Sequence, residues 1–423
     1  MKIYLLKTGR TISPFGDPVG ESFVLGATLR AHQERLAREL GLTLVEIDDP
    51  AGIAAEPAFV LYDHVLPSRR LARAFVEQAK GFGATRGLAV AACGYTRMTA
   101  TLMDTVPPGL GDGEEPLGYH FYHVRGPIDR AGLEAAPREV LTIKERPFKL
   151  DTHEILGIEG GDKPVLTRNG IVQITHWAHI LYANQMMLAL EFLDLDARKI
   201  AFYAWRALTA FPWTGARFMR RVSRVGRRCR IHPSAIIEGS IIGDDVRIGP
   251  RQHVLASYIG SGTKLEGNGL LVSSVVGERC IVGYGTFLSL SVAYPRSMIS
   301  MPAAQLTVFG RQSVKLAYSF MMDLVDPLYR RQVSVRHEGK IVPSGSYLLG
   351  CALGHRAILG ADVWIRAGGE IPNGAFLVKD QRQVFQTFPE TLPAGEPHFA
   401  LDGRAASVRA MRVTKSKADA DNS

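Results

Sequence analysis

Four groups of residues in this chain could do chemistry. Asp63 ends the apolar run 59–62, where a carboxylate can hold a divalent cation or, equally, cap the turn that follows. Among the 12 histidines, His355, His337 and His253 are candidate general bases. A neutral imidazole can take a proton from a hydroxyl or amine, but each of the three would also suit a solvated corner. Arg230, Arg247 and Lys264 recur at a spacing of seventeen, a basic ladder that could attract a phosphate-bearing ligand or form a solvated charged face. The fourth group is the segment 198–230, with ten basic residues and no acidic one, which exceeds the net charge of +9 and leaves the rest nearly neutral. Its basic residues interleave with Phe202, Tyr203, Trp205, Phe211, Trp213 and Phe218, and Pro212 splits it into two short helices. It reads either as a connecting arm or as an interfacial element lying on an anionic membrane through 200–230. No nucleic-acid-binding motif accompanies the charge, so nucleic acid is not expected as a partner.

The element that must position much of this is a repeat. Ser-x-[Val/Ile]-Gly occurs at Ser223–Gly226, Ser240–Gly243, Ser257–Gly260 and Ser274–Gly277, and the serine returns at Ser291. Small or β-branched residues follow each glycine by three places, at Cys229, Val246, Thr263 and Cys280. Apolar residues between them fall every five or six positions, from Ile242 through Ile248, Val254, Ile259 and Leu265 to Leu288. Neither a 3.6-residue helix nor plain strand alternation gives that period. It predicts a parallel β-helix of hexapeptide repeats, in which each coil is three short strands and no coil can bury its apolar residues alone. The period is lost over 293–346, which predicts an inserted loop, and resumes at Leu353, Leu359, Ile365 and Ile371. The predicted bounds are 223–390 for the β-helix and 391–423 for a C-terminal tail, with 414–423 polar and disordered.

Ahead of the repeat, 1–197 alternates short apolar runs (3–6, 43–47, 58–62, 88–91) with helical periodicity at 29–40, 68–80 and 177–193, predicting an α/β domain with a mostly parallel sheet. Residues 104–115 carry five Gly and Pro residues and read as a loop, and 198–222 forms the basic aromatic arm. Hydrophobic residues make up 46% and charged residues 22%, the balance of an ordinary globular protein rather than a fibrous or disordered one. The four cysteines show no zinc spacing and are expected as small core residues in a reducing compartment. The first seven residues are too short an apolar run for a signal peptide and no later run spans a bilayer, so the expected location is cytoplasmic, or peripheral at a membrane if the arm binds one.

An α/β front followed by hexapeptide coils resembles the sugar-phosphate nucleotidyltransferases that carry a left-handed β-helix, of which the bifunctional N-acetylglucosamine-1-phosphate uridylyltransferase/glucosamine-1-phosphate acetyltransferase is the nearest type. The front segment Lys7-Thr8-Gly9-Arg10-Thr11-Ile12-Ser13-Pro14 is similar to the family's glycine-rich nucleotide loop, with Val19 where the family has lysine. The run ending in Asp63 is similar to its Mg²⁺-binding strand. Residues 335–355 match the family's glycines and apolar positions before the last coils, while Pro343, Ser346, Tyr347 and Leu348 stand where it has Asp, Arg, Arg and Lys. The segment 174–184 resembles the chain leading out of the sheet domain and is given no catalytic role.

The resemblance implies the fold, an α/β nucleotidyltransferase-like domain followed by a left-handed parallel β-helix, and a homotrimer. It implies nucleotide binding by Gly9, Arg10 and Thr11, with Arg10 balancing phosphate charge and Asp63 holding Mg²⁺. It also implies acyl transfer from acyl-CoA with His355 as base. The functional expectation is a divergent transferase acting on phosphorylated or nucleotide-linked sugars. The alternative is a non-catalytic trimeric scaffold that still binds a nucleotide-sugar or sits at a membrane.

Overall fold

The structure is a computed structural model and describes residues 1–103, 115–147, 165–194, 197–208, 215–326, 331–389 and 397–407. Most of the expected loop 104–115 and all of 414–423 lie outside the described residues.

The front of the chain forms one six-stranded sheet. Its strands are β1 (Lys2–Leu6), β2 (Thr43–Ile47), β3 (Ala58–Tyr62), β4 (Arg86–Val90), β5 (Leu117–Val124) and β6 (Arg138–Leu141), in the order β2-β1-β3-β5-β4-β6. β1 runs parallel to β2 and β3, and only β5 is antiparallel to its neighbours. Every residue of Ala-Phe-Val-Leu-Tyr in β3 is buried, which is why that run lacks polar alternation. Helices α1 (Leu29–Glu39) and α2 (Arg69–Ala79) start where Thr28 and Ser68 accept hydrogen bonds from the N–H groups of Ala31 and Leu71. A third helix, α3 (Trp177–Leu193), leads out of the domain.

The C-terminal half is the three-sided left-handed parallel β-helix. One face stacks eight two-residue strands from Arg224–Val225 to Glu370–Ile371, a second stacks eight from Arg230–Ile231 to Phe376–Leu377, and the third begins at Ile236–Glu238. Strands this short cannot pair within a coil, so each coil's backbone groups bond to the next coil. The repeated serine adds to that ladder. Its hydroxyl accepts the N–H of the serine one coil on, from Ser223 through Ser240, Ser257 and Ser274 to Ser291.

The expected loop 293–346 is corrected here. Met298–Ile299, Ala303–Gln305, Val308–Phe309, Val314–Lys315 and Phe320–Met321 continue all three faces. The sequence hid this coil because it is one residue short and because Thr307 replaces the serine, Tyr294 the glycine. Thr307 keeps the hydroxyl ladder intact: its N–H donates to Ser291 Oγ at 3.2 Å, and its own Oγ1 accepts from the Cys351 N–H at 3.4 Å. The true interruption falls between Met321 and Cys351 and includes the hairpin of Ser334–His337 and Lys340–Pro343. The arm forms two helices, α4 (Ala197–Leu208) and α5 (Gly215–Val222). Within 397–407, part of the expected tail, His398–Leu401 pairs with Arg404–Ser407 as a hairpin.

The first face of the β-helix docks onto the α/β domain. Its outward residues Val275, Val292, Val308 and Ala352 are fully buried in the same core as β1, β3 and α3. Its inward residues, such as Ile242, Ile259, Val276, Phe309 and Leu353, form a separate core inside the prism. All four cysteines are free thiols, two of them buried.

Lys315 stands in the inward column of the second face, between Ile299 and Leu359, with no exposure. Its ammonium donates to the carbonyls of Ser300 at 2.8 Å and Met301 at 3.2 Å, and burial lowers its pKa to about 8. The unfolded chain keeps that proton up to the ordinary lysine value, so stability rises with pH between about 8 and 10.5 and carries the full cost of the buried charge below 8. Lys315→Met is therefore expected to be more stable than the parent at pH 7, by about 2 kcal/mol. The difference should shrink as pH is raised toward 10. Thermal melts at the two pH values check this, and a variant less stable at pH 7 contradicts it.

Candidate functional site

The site begins where two neighbouring parallel strands end. Thr8 follows β1 and Asp63 follows β3. The Asp63 carboxylate accepts the Thr8 N–H at 3.0 Å and its hydroxyl at 2.7 Å. The Thr8 hydroxyl oxygen in turn accepts the Arg10 N–H at 3.3 Å, and Gly9 between them takes a left-handed turn at φ +67°. Burial alone would raise the Asp63 carboxyl, but the nearby His64 and the hydrogen bonds from Thr8 outweigh it and hold the group below its ordinary value. The expected grouping of Gly9, Arg10 and Asp63 is thus a real neighbourhood.

Histidines surround it. His64 Nδ1 lies 3.7 Å from Asp63, and His64 Nε2 lies 3.1 Å from Nδ1 of His120. The His120 ring stacks on Tyr62 with centroids 4.5 Å apart, and the His120 backbone N–H donates to Gln173 Oε1 at 2.8 Å. Burial, then the nearby His64, Arg138 and Arg10, lower His120 to a pKa of about 3, so it is neutral at physiological pH. The Tyr62 hydroxyl is buried and has no hydrogen-bond partner among the described residues.

A second cluster lies where α3 meets the β-helix and its inserted hairpin. His179, at the start of α3, accepts N–H groups of Thr175 and His176 at Nδ1, so its proton sits on Nε2 and is donated to the Thr101 carbonyl at 2.7 Å. Burial, followed by His176 and then more distant charges that include Arg10, lowers it to about 3. His176 accepts the Ala178 N–H at Nδ1 and donates from Nε2 to the Arg336 carbonyl, with Glu370 3.4 Å away. The His337 ring, on the inserted hairpin, lies 5.7 Å from that of His176. Glu370 is the outward residue of the last strand of the first face. It accepts from Ser13 Oγ at 2.7 Å and Trp177 Nε1 at 3.0 Å, and with His176 these bonds outweigh burial and keep it ionised. Arg10 acts electrostatically on both His120 and His179, which ties the two clusters together.

The other expected site residues lie elsewhere. Thr11 is exposed and bridges to Pro18. His355 accepts the Arg311 N–H at Nδ1 and donates from Nε2 to Asp17 at 2.9 Å, so both ring nitrogens are engaged within the protein. Arg311 also reaches Asp17, at 2.7 Å, while Phe15 stacks on Tyr294 and lies beside the His355 ring. The loop that the resemblance assigns to a nucleotide is in this protein a clamp onto the β-helix, and Val19, in the family's lysine position, is buried. His253 sits on the third face beside Glu238. The basic ladder is in register as expected and lines a shallow cleft of about 380 Å³ on the second face, with Tyr284 and Glu266.

Asp63 does not make an evident Mg²⁺ site. Both of its oxygens accept from Thr8, and among the described residues no three His, Cys, Asp or Glu side chains are grouped to hold a metal. Sequence reasoning missed His64, His120, His176, His179 and Glu370. The spacing His176-x-x-His179 ahead of an apolar helix was the one local signal, whereas His64, His120 and Glu370 meet only through tertiary contacts. Comparison with protein-family models and with curated proteins finds no match.

His120 and His179 give the site a pH signature. Both take up protons in the unfolded chain below their ordinary value of 6.5 but stay neutral in the fold until about 3. Stability should therefore fall as pH drops from 6.5 toward 3, by up to about 1.4 kcal/mol per pH unit for each histidine. His120→Asn should flatten that slope in melting temperatures recorded between pH 7 and 4. An unchanged slope would refute the assignment.

Proposed function

We propose that this chain is a transferase-family protein that binds a phosphorylated or nucleotide-linked sugar in the crevice between its α/β sheet and the end of the β-helix. The observation that carries the reading is the meeting of Thr8, Arg10 and Asp63 at the carboxyl ends of adjacent parallel strands, the usual ligand position in sheets of this kind. Arg10 supplies the cation for a phosphate. Neutral imidazoles beside it leave that charge undiluted, and in a partly buried site its attraction to an anion is stronger than in water. Tyr62 and the histidine pair offer donors and acceptors suited to sugar hydroxyls.

Nucleotidyl transfer at this site would have an oxygen of a sugar 1-phosphate attack the α-phosphorus of a nucleoside triphosphate, with pyrophosphate leaving. Arg10 would offset the charge that develops on the phosphoryl oxygens. A second reading, a binding protein that has lost the transfer step, is favoured by the clamped loop: Ser13, Phe15 and Asp17 are held to the β-helix, and Val19 is buried where the family has its lysine. Acyl transfer with His355 as base is the least supported, since neither ring nitrogen is open to an acceptor.

Thermal shift with sugar 1-phosphates, nucleoside triphosphates, nucleotide-sugars and CoA, each with and without Mg²⁺, separates these readings. A sugar phosphate or nucleotide-sugar should stabilise the protein, and Arg10→Ala should weaken that binding by roughly ten- to a hundredfold. Pyrophosphate release with triphosphate and sugar 1-phosphate would establish transfer, and its absence alongside binding would favour the second reading. A response to CoA alone would replace both, and no response to any ligand would leave the scaffold role.

Self-association, which the resemblance implies, is supported by the outward residues of the second face. Above the basic ladder they become Ile281, Met298, Val314, Ile358 and Phe376, an apolar column of which Ile281 is 38% and Phe376 64% exposed. A trimer is the proposed state. Light scattering should give three times the chain mass, reduced by Ile281→Glu with Phe376→Glu, and a monomeric parent protein would dismiss it.

A further inference from the structure

Helix α4 carries an apolar face that nothing among the described residues covers. Ile200, Ala201, Ala204, Trp205 and Leu208 are all exposed, at the spacing i, i+1, i+4, i+5 and i+8 that places them on one side of a helix. The large members are 54%, 59% and 71% exposed for Ile200, Trp205 and Leu208. The opposite side is anchored. Lys199 donates to the Glu191 carbonyl at 3.3 Å, and Phe202 and Tyr203 are partly buried. The helix is thereby fixed with its apolar side outward.

Three observations together specify the occupant. No acidic residue occurs from 198 to 230 among ten basic ones, and while Lys199, Arg220, Arg224, Arg227 and Arg228 pair with carboxylates outside the segment, the segment itself supplies no counter-charge. Arg221 is exposed and has no ion-pair partner among the described residues, and the Arg206 guanidinium lies 5.5 Å from the Trp205 ring, cation beside aromatic at the edge of the apolar face. No described helix is long and apolar enough to cross a membrane. A second copy of the chain would set two such cationic strips against each other, which like-charge repulsion opposes. An anionic surface with an apolar interior satisfies both features at once.

We infer that α4 is an interfacial docking helix for an anionic lipid bilayer, with Ile200, Trp205 and Leu208 entering the headgroup boundary and the flanking arginines meeting lipid phosphates. The contact is separate from the crevice and does not depend on what binds there.

Flotation of the full chain with vesicles of phosphatidylcholine alone, and of phosphatidylcholine mixed with phosphatidylglycerol, tests this. The protein should float with the anionic vesicles, not with the neutral ones, and the binding should weaken as salt is raised. Leu208→Glu and Trp205→Glu lie on an exposed face, so the fold should survive, and circular dichroism checks that it does. Each should weaken vesicle binding by about tenfold or more, and Arg221→Glu by several-fold. Failure to float, equal flotation with neutral vesicles, or flotation unaffected by Leu208→Glu would each overturn the inference. So would a change in the mass of the free protein in these variants without a loss of vesicle binding, since the face would then be a protein interface.

Discussion

The burial of one face of the β-helix governs the arrangement of everything else. A coil of this solenoid points alternate residues inward and outward, and an outward valine on a free-standing prism would face water. On the first face Val275, Val292 and Val308 are instead fully covered by the α/β domain, together with Ala352. Covering such side chains stabilises the contact by roughly 1.5–3 kcal/mol for each large one. The two halves of the chain are held in one orientation by that apolar contact, and the polar contacts around it then become specific: Asp17 with His355 and Arg311, Asn373 with the Phe15 carbonyl, and the Phe23 N–H with the Tyr294 hydroxyl.

The polar contacts around Glu370 are a by-product of that docking. Glu370 follows Val308 and Ala352 up the same outward column, but where they meet aliphatic side chains it meets Ser13, His176 and Trp177. The last strand of the face thus reaches beyond the apolar contact and forms one wall of a polar site. The hairpin inserted between the penultimate coils contributes His337 and the Arg336 carbonyl. Such a site can hold an anion beside Arg10 because its histidines are kept uncharged by burial, which avoids a cluster of like charges while retaining hydrogen-bonding capacity. The same docking pins the loop through Phe15 and Asp17 and engages both ring nitrogens of His355 within the protein.

The solenoid was legible because its physics is local and periodic. Each coil repeats the same requirement for a small polar residue at one corner and an aliphatic residue in each strand, so Ser223 to Ser291 and Ile242 to Leu288 disclosed it without any knowledge of neighbours. Its continuation through Phe309 was not legible. One deleted residue and the exchange of serine for threonine broke the period in sequence while the hydroxyl ladder survived in space. In the front domain the buried strand 58–62 and the capped helices were equally plain, but the antiparallel partner β5 and the edge strand β6 were not recognised, because Leu117–Val124 mixes Tyr, His and Gly without a clean alternation.

Sequence by itself determined the two architectures and the basic and aromatic character of the arm, since each depends on residue types at fixed spacings along the chain. Tertiary structure alone decided that His64 meets His120, that His176 meets His179, His337 and Glu370, and that His355 is held by Asp17 and Arg311 instead. The reason is physical: those side chains come from strands, a helix, a hairpin and a coil separated by up to three hundred residues, and only the burial of the valine face fixes how far apart they end.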